Sequence, residues 1–171
     1  MGRLVDKLLF IVRGGKTKRF HTADTLTEQT VAEHSFGVAW LCHLLLPNAR
    51  KDVILAALAH DLAEHVVGDV SSVFKKAHPD FRMSLQVLED KLLKEHGVGF
   101  EVGLTDEERR VLKVADLVDG MLFCLRERSM GSKIAVNIYN NFKDYASEYV
   151  RTQEEAYLVE QIDNMWKELN V

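Results

Sequence analysis

Apolar residues recur at three- and four-residue intervals along most of the chain, and strict alternation of apolar and polar residues is nearly absent. That period predicts amphipathic helices packed by one face. Leu4, Leu8, Ile11 and Val12 form a first stripe, ended by Gly14-Gly15. Thr30 with Glu33 makes a capping box for a second helix, which runs through Val38, Leu41, Cys42 and Leu45 and stops before Pro47. A third runs from about Arg50 through Ile54, Leu55, Leu58, Leu62 and His65, with Gly68 as its stop. Pro79-Asp80 opens a fourth, ended at Gly97. Thr105 with Glu108 caps a long fifth through Leu112, Ala115, Val118, Leu122 and Leu125. Ser132 starts a sixth, with Ile134, Ile138, Phe142 and Tyr145 on one face. Thr152 with Glu155 caps the last, with Leu158, Ile162, Met165 and Leu169 inward. Residues 16–29 and 66–79 remain as two long connections. The expectation is an all-α bundle of six to seven helices, one domain over residues 1–171.

Composition narrows the class. With 47% hydrophobic and 28% charged residues the chain reads as an ordinary globular protein. A net charge of −4 argues against a general nucleic-acid binder, which needs a basic surface. The two cysteines, Cys42 and Cys124, lie in apolar stretches and make neither a disulfide framework nor a Cys-rich zinc site, so a reducing, cytoplasmic setting is expected. No apolar run is long enough for a membrane span, and no leader pattern is read at the N-terminus.

The chemistry gathers at His60-Asp61, a doublet inside the predicted third helix, with Glu64 one turn on. His34 lies in the second helix, and Asp116 interrupts the apolar stretch Val111–Val118 in the fifth. A buried carboxylate is costly unless it is paired or binds a cation. Two imidazoles and two carboxylates from three helices make a mixed N/O set that suits Mn, Co, Zn, Ni or Fe. A metal so held acidifies water and polarises a phosphoryl oxygen. Against this stands the bland reading, in which a His-Asp doublet is only structural. His43, His78 and His96 read as surface or packing residues. His65 stays open, as do His21 in the basic loop and Asp119, which is either a partner of the site or solvated.

The order H…HD…D resembles the HD-domain metal-dependent phosphohydrolases, and more closely their YfbR-like 5′-deoxynucleotidase branch. The resemblance rests on Arg19-Phe20, Thr30-Val31-Ala32-Glu33-His34-Ser35, His60-Asp61-Leu62-Ala63-Glu64 with Gly68-Asp69 and Lys75, and Lys113-Val114-Ala115-Asp116. It implies an HD-domain helical fold in which His34, His60, Asp61 and Asp116 ligate one divalent metal. By the same resemblance Glu64 orients or activates the attacking water, and Asp69 serves near the leaving sugar oxygen. Arg19 would hold the 5′ phosphate, Phe20 would pack on the sugar and disfavour a 2′-hydroxyl, and Lys75 would meet phosphate oxygens. Two departures bear on base preference. The branch commonly has Trp at Phe20, and Pro-Thr-Pro where this chain has Ser71-Ser72-Val73.

Short relatives that share the Arg-aromatic-His-Thr and Gln-Thr-Val-Ala-Glu-His-Ser segments resemble phage enzymes, among them dATP triphosphohydrolases. Lys16, Lys18, Arg19, Lys75 and Lys76 suit a polyphosphate. The leading expectation is therefore hydrolysis of a dATP-type triphosphate to deoxynucleoside and triphosphate, with Mg accompanying the nucleotide, in a host cytoplasm. The alternative is a 5′-deoxynucleotidase on dNMPs. Further alternatives are a hydrolase of cyclic or signalling nucleotides and a non-catalytic helical scaffold. The partner is a small deoxynucleotide, with neither nucleic-acid polymer nor membrane. A homo-oligomer is expected from the aromatic C-terminal half, including Phe123, Tyr139, Tyr145 and Tyr157.

Overall fold

The computed structural model describes residues 2–169. All three capping boxes form as read: the hydroxyls of Thr30, Thr105 and Thr152 accept from the amides of Glu33, Glu108 and Glu155, whose carboxylates reach back to the cap amides. They open α2 (Val31–Leu45), α7 (Asp106–Ser129) and α9 (Gln153–Glu168). The remaining helices are α1 (Gly2–Gly15), α3 (Lys51–Ala59), α4 (Glu64–Val67), α5 (Ser72–Ala77), α6 (Pro79–Glu95) and α8 (Ala135–Tyr149). No helix of the described residues is long and apolar enough to cross a membrane.

Helix α7 is the spine. It packs against α2, α8 and α9, and α2 packs against α3. The main core draws Val38 and Cys42 from α2, Val53 and Ala57 from α3, Val114, Val118 and Met121 from α7, Tyr139 from α8, and Ile162 and Trp166 from α9. Trp166 stacks on Tyr139 at 3.8 Å and 3°. A smaller core joins Phe10, Val31, Ala59, Leu62, Leu93 and Val98. There α1 meets the segment after His60 so tightly that a Cβ on Gly14 would lie 2.6 Å from the Leu62 carbonyl oxygen.

Several expectations are corrected. The third helix is not continuous. It stops at Ala59, and the bonds Leu62 N–H to Ala59 O and Glu64 N–H to Asp61 O tighten the chain into a turn before α4. The connection 66–79 contains α5, capped by Ser71. Residues 16–30 form a small hairpin, β1 (Lys18–Arg19) pairing antiparallel with β2 (Gln29–Thr30). The first helix presents Leu4, Leu8 and Val12 to solvent and buries Phe10, because only one flank of α1 meets the rest of the protein. In α8 the most buried line is Ala135, Tyr139 and Ala146, with Ile138, Phe142 and Tyr145 half-buried beside it. In α9 Trp166 is buried and Met165 is exposed, since Tyr139 offers a flat ring to stack against.

Candidate metal centre

Each element delivers one part of the site. α2 carries His34, which is fully buried one turn after the Thr30 cap. The turn after α3 carries His60 and Asp61, and α7 carries Asp116. Among the described residues, ligand atoms of His34, His60 and Asp116 all lie within 4.8 Å of one another. His34 Nε2 stands 3.3 Å from His60 Nε2 and 3.2 Å from Asp116 Oδ1. Asp61 closes the group, with one oxygen 3.6 Å from His34 Nε2 and the other 3.4 Å from His60 Nε2. The doublet works from a turn rather than from a helix, so both of its side chains turn inward.

The outer atoms of these residues are committed elsewhere. His34 Nδ1 lies 2.7 Å from Asp119 Oδ2, and His60 Nδ1 lies 2.8 Å from the Ala57 carbonyl. With a cation bound, oxygen acceptors of this kind would take the proton from Nδ1 and leave each Nε2 lone pair for the ion. Lys113 Nζ donates to Asp116 Oδ2 at 2.6 Å, leaving Oδ1 inward. Two imidazole lone pairs and two carboxylates turned toward one another fit a divalent cation.

Charge around the centre agrees. Burial alone would raise Asp116, yet Lys113 and the two imidazoles hold it well below the usual carboxylate range. Burial likewise opposes ionisation of Asp61, and His60, Arg19 and His34 outweigh it. Glu64 behaves oppositely. Burial first, then Asp61 and Asp69, push its carboxyl up to about 10, and Arg19 and Lys75 only partly offset them. Among the described residues, Glu64 Oε2 and Arg19 Nη1 are buried without a hydrogen-bond partner. A buried acid and a buried guanidinium with unmet bonds beside the cluster have atoms available to a polar ligand or to water.

The hairpin sets Arg19, whose Nη2 lies 3.9 Å from Asp116 Oδ1. Phe20 adopts φ 56°, costly for a non-glycine residue, and its amide donates to Asp69 Oδ2 at 3.2 Å. Its ring stacks on Phe123 at 4.6 Å and meets Phe142 edge-on. Phe20 is therefore fixed against the core beside Arg19, and Asp69 is tied to the same hairpin. His21 Nδ1 lies 3.7 Å from Asp69. Lys75 on α5 acts on Glu64 by charge alone among the contacts described. Lys18 pairs with Glu28 at the surface, and Lys76 lies 4.7 Å over the Tyr145 ring. His65 and His96 flank Phe10 as packing residues, which closes the open reading of His65.

Three contributors escaped the sequence. Lys113 carried a signal, an i, i+3 pairing with Asp116. Gln29 Nε2 donates to Asp119 Oδ2 at 3.0 Å across the fold. Glu127, fully buried in α7, accepts from the Leu26 and Thr27 amides at 2.6 and 2.8 Å and from the Thr27 hydroxyl at 2.6 Å, anchoring the loop behind Arg19. Nothing local in the sequence announces either contact.

Comparison with known proteins bears on this geometry. The family model described as 5′-deoxynucleotidase YfbR-like matches residues 8–165. A 5′-deoxynucleotidase of Vibrio atlanticus is 26% identical over 137 residues, 67% of this chain and 71% of that protein. One of Yersinia pestis is 29% identical over 126 residues, 61% of this chain and 64% of that protein. Among solved structures, the HD phosphohydrolase of cyanophage S-2L, bound to dA and one catalytic Zn2+ ion, superimposes with a TM-score of 0.70 at 21% identity, covering 94% of this chain and 96% of that one. An HD-domain phosphohydrolase of Listeria innocua gives 0.71 at 19% identity, covering 97% and 89%. At such identities these two likenesses speak for the fold.

Proposed function

This chain belongs to the YfbR-like 5′-deoxynucleotidase family, and we propose that it is an HD-domain phosphohydrolase that hydrolyses the 5′ phosphoester of 2′-deoxynucleoside monophosphates to deoxynucleoside and phosphate. One observation carries the reading. The inward atoms of His34, His60 and Asp116 converge within 4.8 Å beside Glu64 Oε2 and Arg19 Nη1, which have no hydrogen-bond partner among the described residues. His34, His60, Asp61 and Asp116 would hold one divalent metal. Such an ion supplies Lewis-acid polarisation of phosphoryl oxygens and a more acidic water.

The remaining work falls to the chain's own groups. Arg19 neutralises equatorial phosphoryl oxygens through the guanidinium atom left unpaired, and Lys75 adds charge from α5. Glu64 orients the attacking water in line with the bond to the 5′ oxygen. That bond breaks as the new P–O bond forms; the water gives up a proton, and the departing sugar oxygen, met by Asp69 beside the Phe20 amide, takes one up to leave as the deoxynucleoside hydroxyl. Phe20 sits beside the sugar, where its fixed ring disfavours a 2′-hydroxyl. The reading treats residues 1–171 as one HD domain acting in the cytoplasm.

The monophosphate stands ahead of the triphosphate on the names of the relatives. Relatives named 5′-deoxynucleotidase align along most of the chain. The dATP reading keeps the phage neighbour bound to dA in its favour. As for assembly, Tyr139 is buried in the core, while Phe36, Trp40 and Leu44 are exposed at four-residue spacing on α2. That stripe supports a homo-oligomer better than the C-terminal aromatics do.

The test is incubation with Mn, Co or Mg and a panel of dNMPs, dNTPs, ribonucleotides and cyclic nucleotides, with products separated by chromatography. Deoxynucleoside and phosphate from dNMPs are expected. Triphosphate released from a dNTP would restore the other reading. Equal turnover of ribonucleotides would remove the role of Phe20. Turnover of cyclic nucleotides alone, or no turnover with any ion, would overturn the proposal.

A further inference from the structure

α2 and α7 meet at a notch that has no meaning in the sequence of either helix. Gly37 lies one turn after His34 on α2, and a Cβ built there would stand 2.0 Å from Asp119 Oδ1 and 3.0 Å from its carboxyl carbon. Real Cβ atoms do not approach so closely, so Asp119 occupies the space that any other residue at 37 would fill. Through that notch Asp119 reaches His34, its Oδ2 lying 2.7 Å from Nδ1. Gln29 Nε2, from β2, donates to the same oxygen at 3.0 Å. Asp119 is 8% exposed and His34 fully buried, so water competes little for this bond. An acceptor-only carboxylate, fixed by a neighbouring helix and by Gln29, leaves the imidazole one orientation.

We propose that Asp119, seated in the notch at Gly37, is the positioning residue that aims His34 Nε2 at the metal centre. The proposal rests on the reading of His34 as a metal ligand. Asp119 is not among the four residues proposed to hold the metal. It acts through His34, as partners behind ligating histidines do, and their loss lowers metal affinity or activity by about 10–100-fold. The same α7 face carries Asp116, which points inward, and Asp119, which points to the back of His34. One helix thus supplies a ligand and the support of another.

Three variants test this: Asp119→Ala, Asp119→Asn and Gly37→Ala. Metal affinity is read by competition with a chromogenic chelator, and the ligand field by the visible spectrum of the cobalt-loaded protein. In the metal-free protein, 15N shifts of the His34 ring report which nitrogen carries the proton. Asp119→Ala is expected to weaken cobalt binding by about 10–100-fold, to alter the spectrum and to remove the Nδ1–H signature. Gly37→Ala should move in the same direction by displacing the carboxylate. Asp119→Asn keeps the shape and serves if Gly37→Ala does not fold. Wild-type affinity and spectrum in both Asp119 variants would overturn the proposal, as would a His34 ring with no proton on Nδ1 in the metal-free wild type. His34→Ala separates the two levels. If it keeps wild-type metal affinity, the ligand assignment itself fails; if it loses metal while both Asp119 variants keep it, only the positioning role fails.

Discussion

Lys113 Nζ lies 2.6 Å from Asp116 Oδ2, one turn along α7, so the outer oxygen of a proposed ligand is held by its own helix. The ammonium keeps Asp116 ionised and its inner oxygen turned toward His34. Lys113→Met is expected to lower metal affinity by about tenfold, the low end for a partner behind a ligand, because the lysine side chain is half-exposed and its attraction is screened. Isothermal titration with cobalt checks it. An affinity equal to wild type would assign the pair to the surface.

His60→Ala and Asp61→Ala should each abolish both bound metal and turnover. Metal content after dialysis, measured by elemental analysis beside the nucleotide assay, decides the matter. Full turnover in either variant would exclude that residue from the site.

Glu64 links stability to function in opposite directions. A carboxyl raised from 4.5 to about 10 in the folded state binds a proton on folding, so stability falls as pH rises across that span. Glu64→Gln is therefore expected to raise the melting temperature at pH 8 in chelator. The same variant should retain metal and lose about 100-fold or more in kcat. Loss of bound metal would move Glu64 into the ligand set.

Glu127 holds the loop behind Arg19. Burial opposes its charge, and the Thr27 hydroxyl, the Leu26 and Thr27 amides and Ser132 together lower its pKa. The stabilisation is present above the ordinary glutamate pKa and is lost as pH falls through the lowered folded value. Glu127→Gln is expected to cost about 2 kcal/mol near neutral pH, to flatten the acid limb of the unfolding curve, and to raise KM. Chemical denaturation across pH 3–7 reads the first two. Superimposable acid limbs would show that the carboxylate carries no such load.

Gly14 meets the backbone of Leu62, with a Cβ 2.6 Å from its carbonyl oxygen and 2.9 Å from its Cα. Backbone cannot yield as a side-chain tip can, so overpacking of about 3 kcal/mol is expected, against about 1 kcal/mol returned by alanine's helix preference. Gly14→Ala should lower stability by about 2 kcal/mol and disturb the His60–Ala63 turn. Unchanged thermal melting would place slack at this contact.

Local chemistry was enough for much of this protein. Three capping boxes, the breaks at Gly15, Pro47 and Gly97, and the spaced His34, His60-Asp61 and Asp116 could be read directly, because caps, periods and turn residues act within a few positions of the chain. Tertiary structure decided which flank of α1 is buried, that the helix after Lys51 breaks so that His60 and Asp61 both turn inward, and that Glu127, Gln29 and Asp119 serve residues about 85–101 positions away. Those contacts depend on how α7 crosses α2 and the hairpin. A buried carboxylate in a helical sequence looks the same whether its partner is a cation, an imidazole or a distant amide, and only the packing of the helices chooses among them.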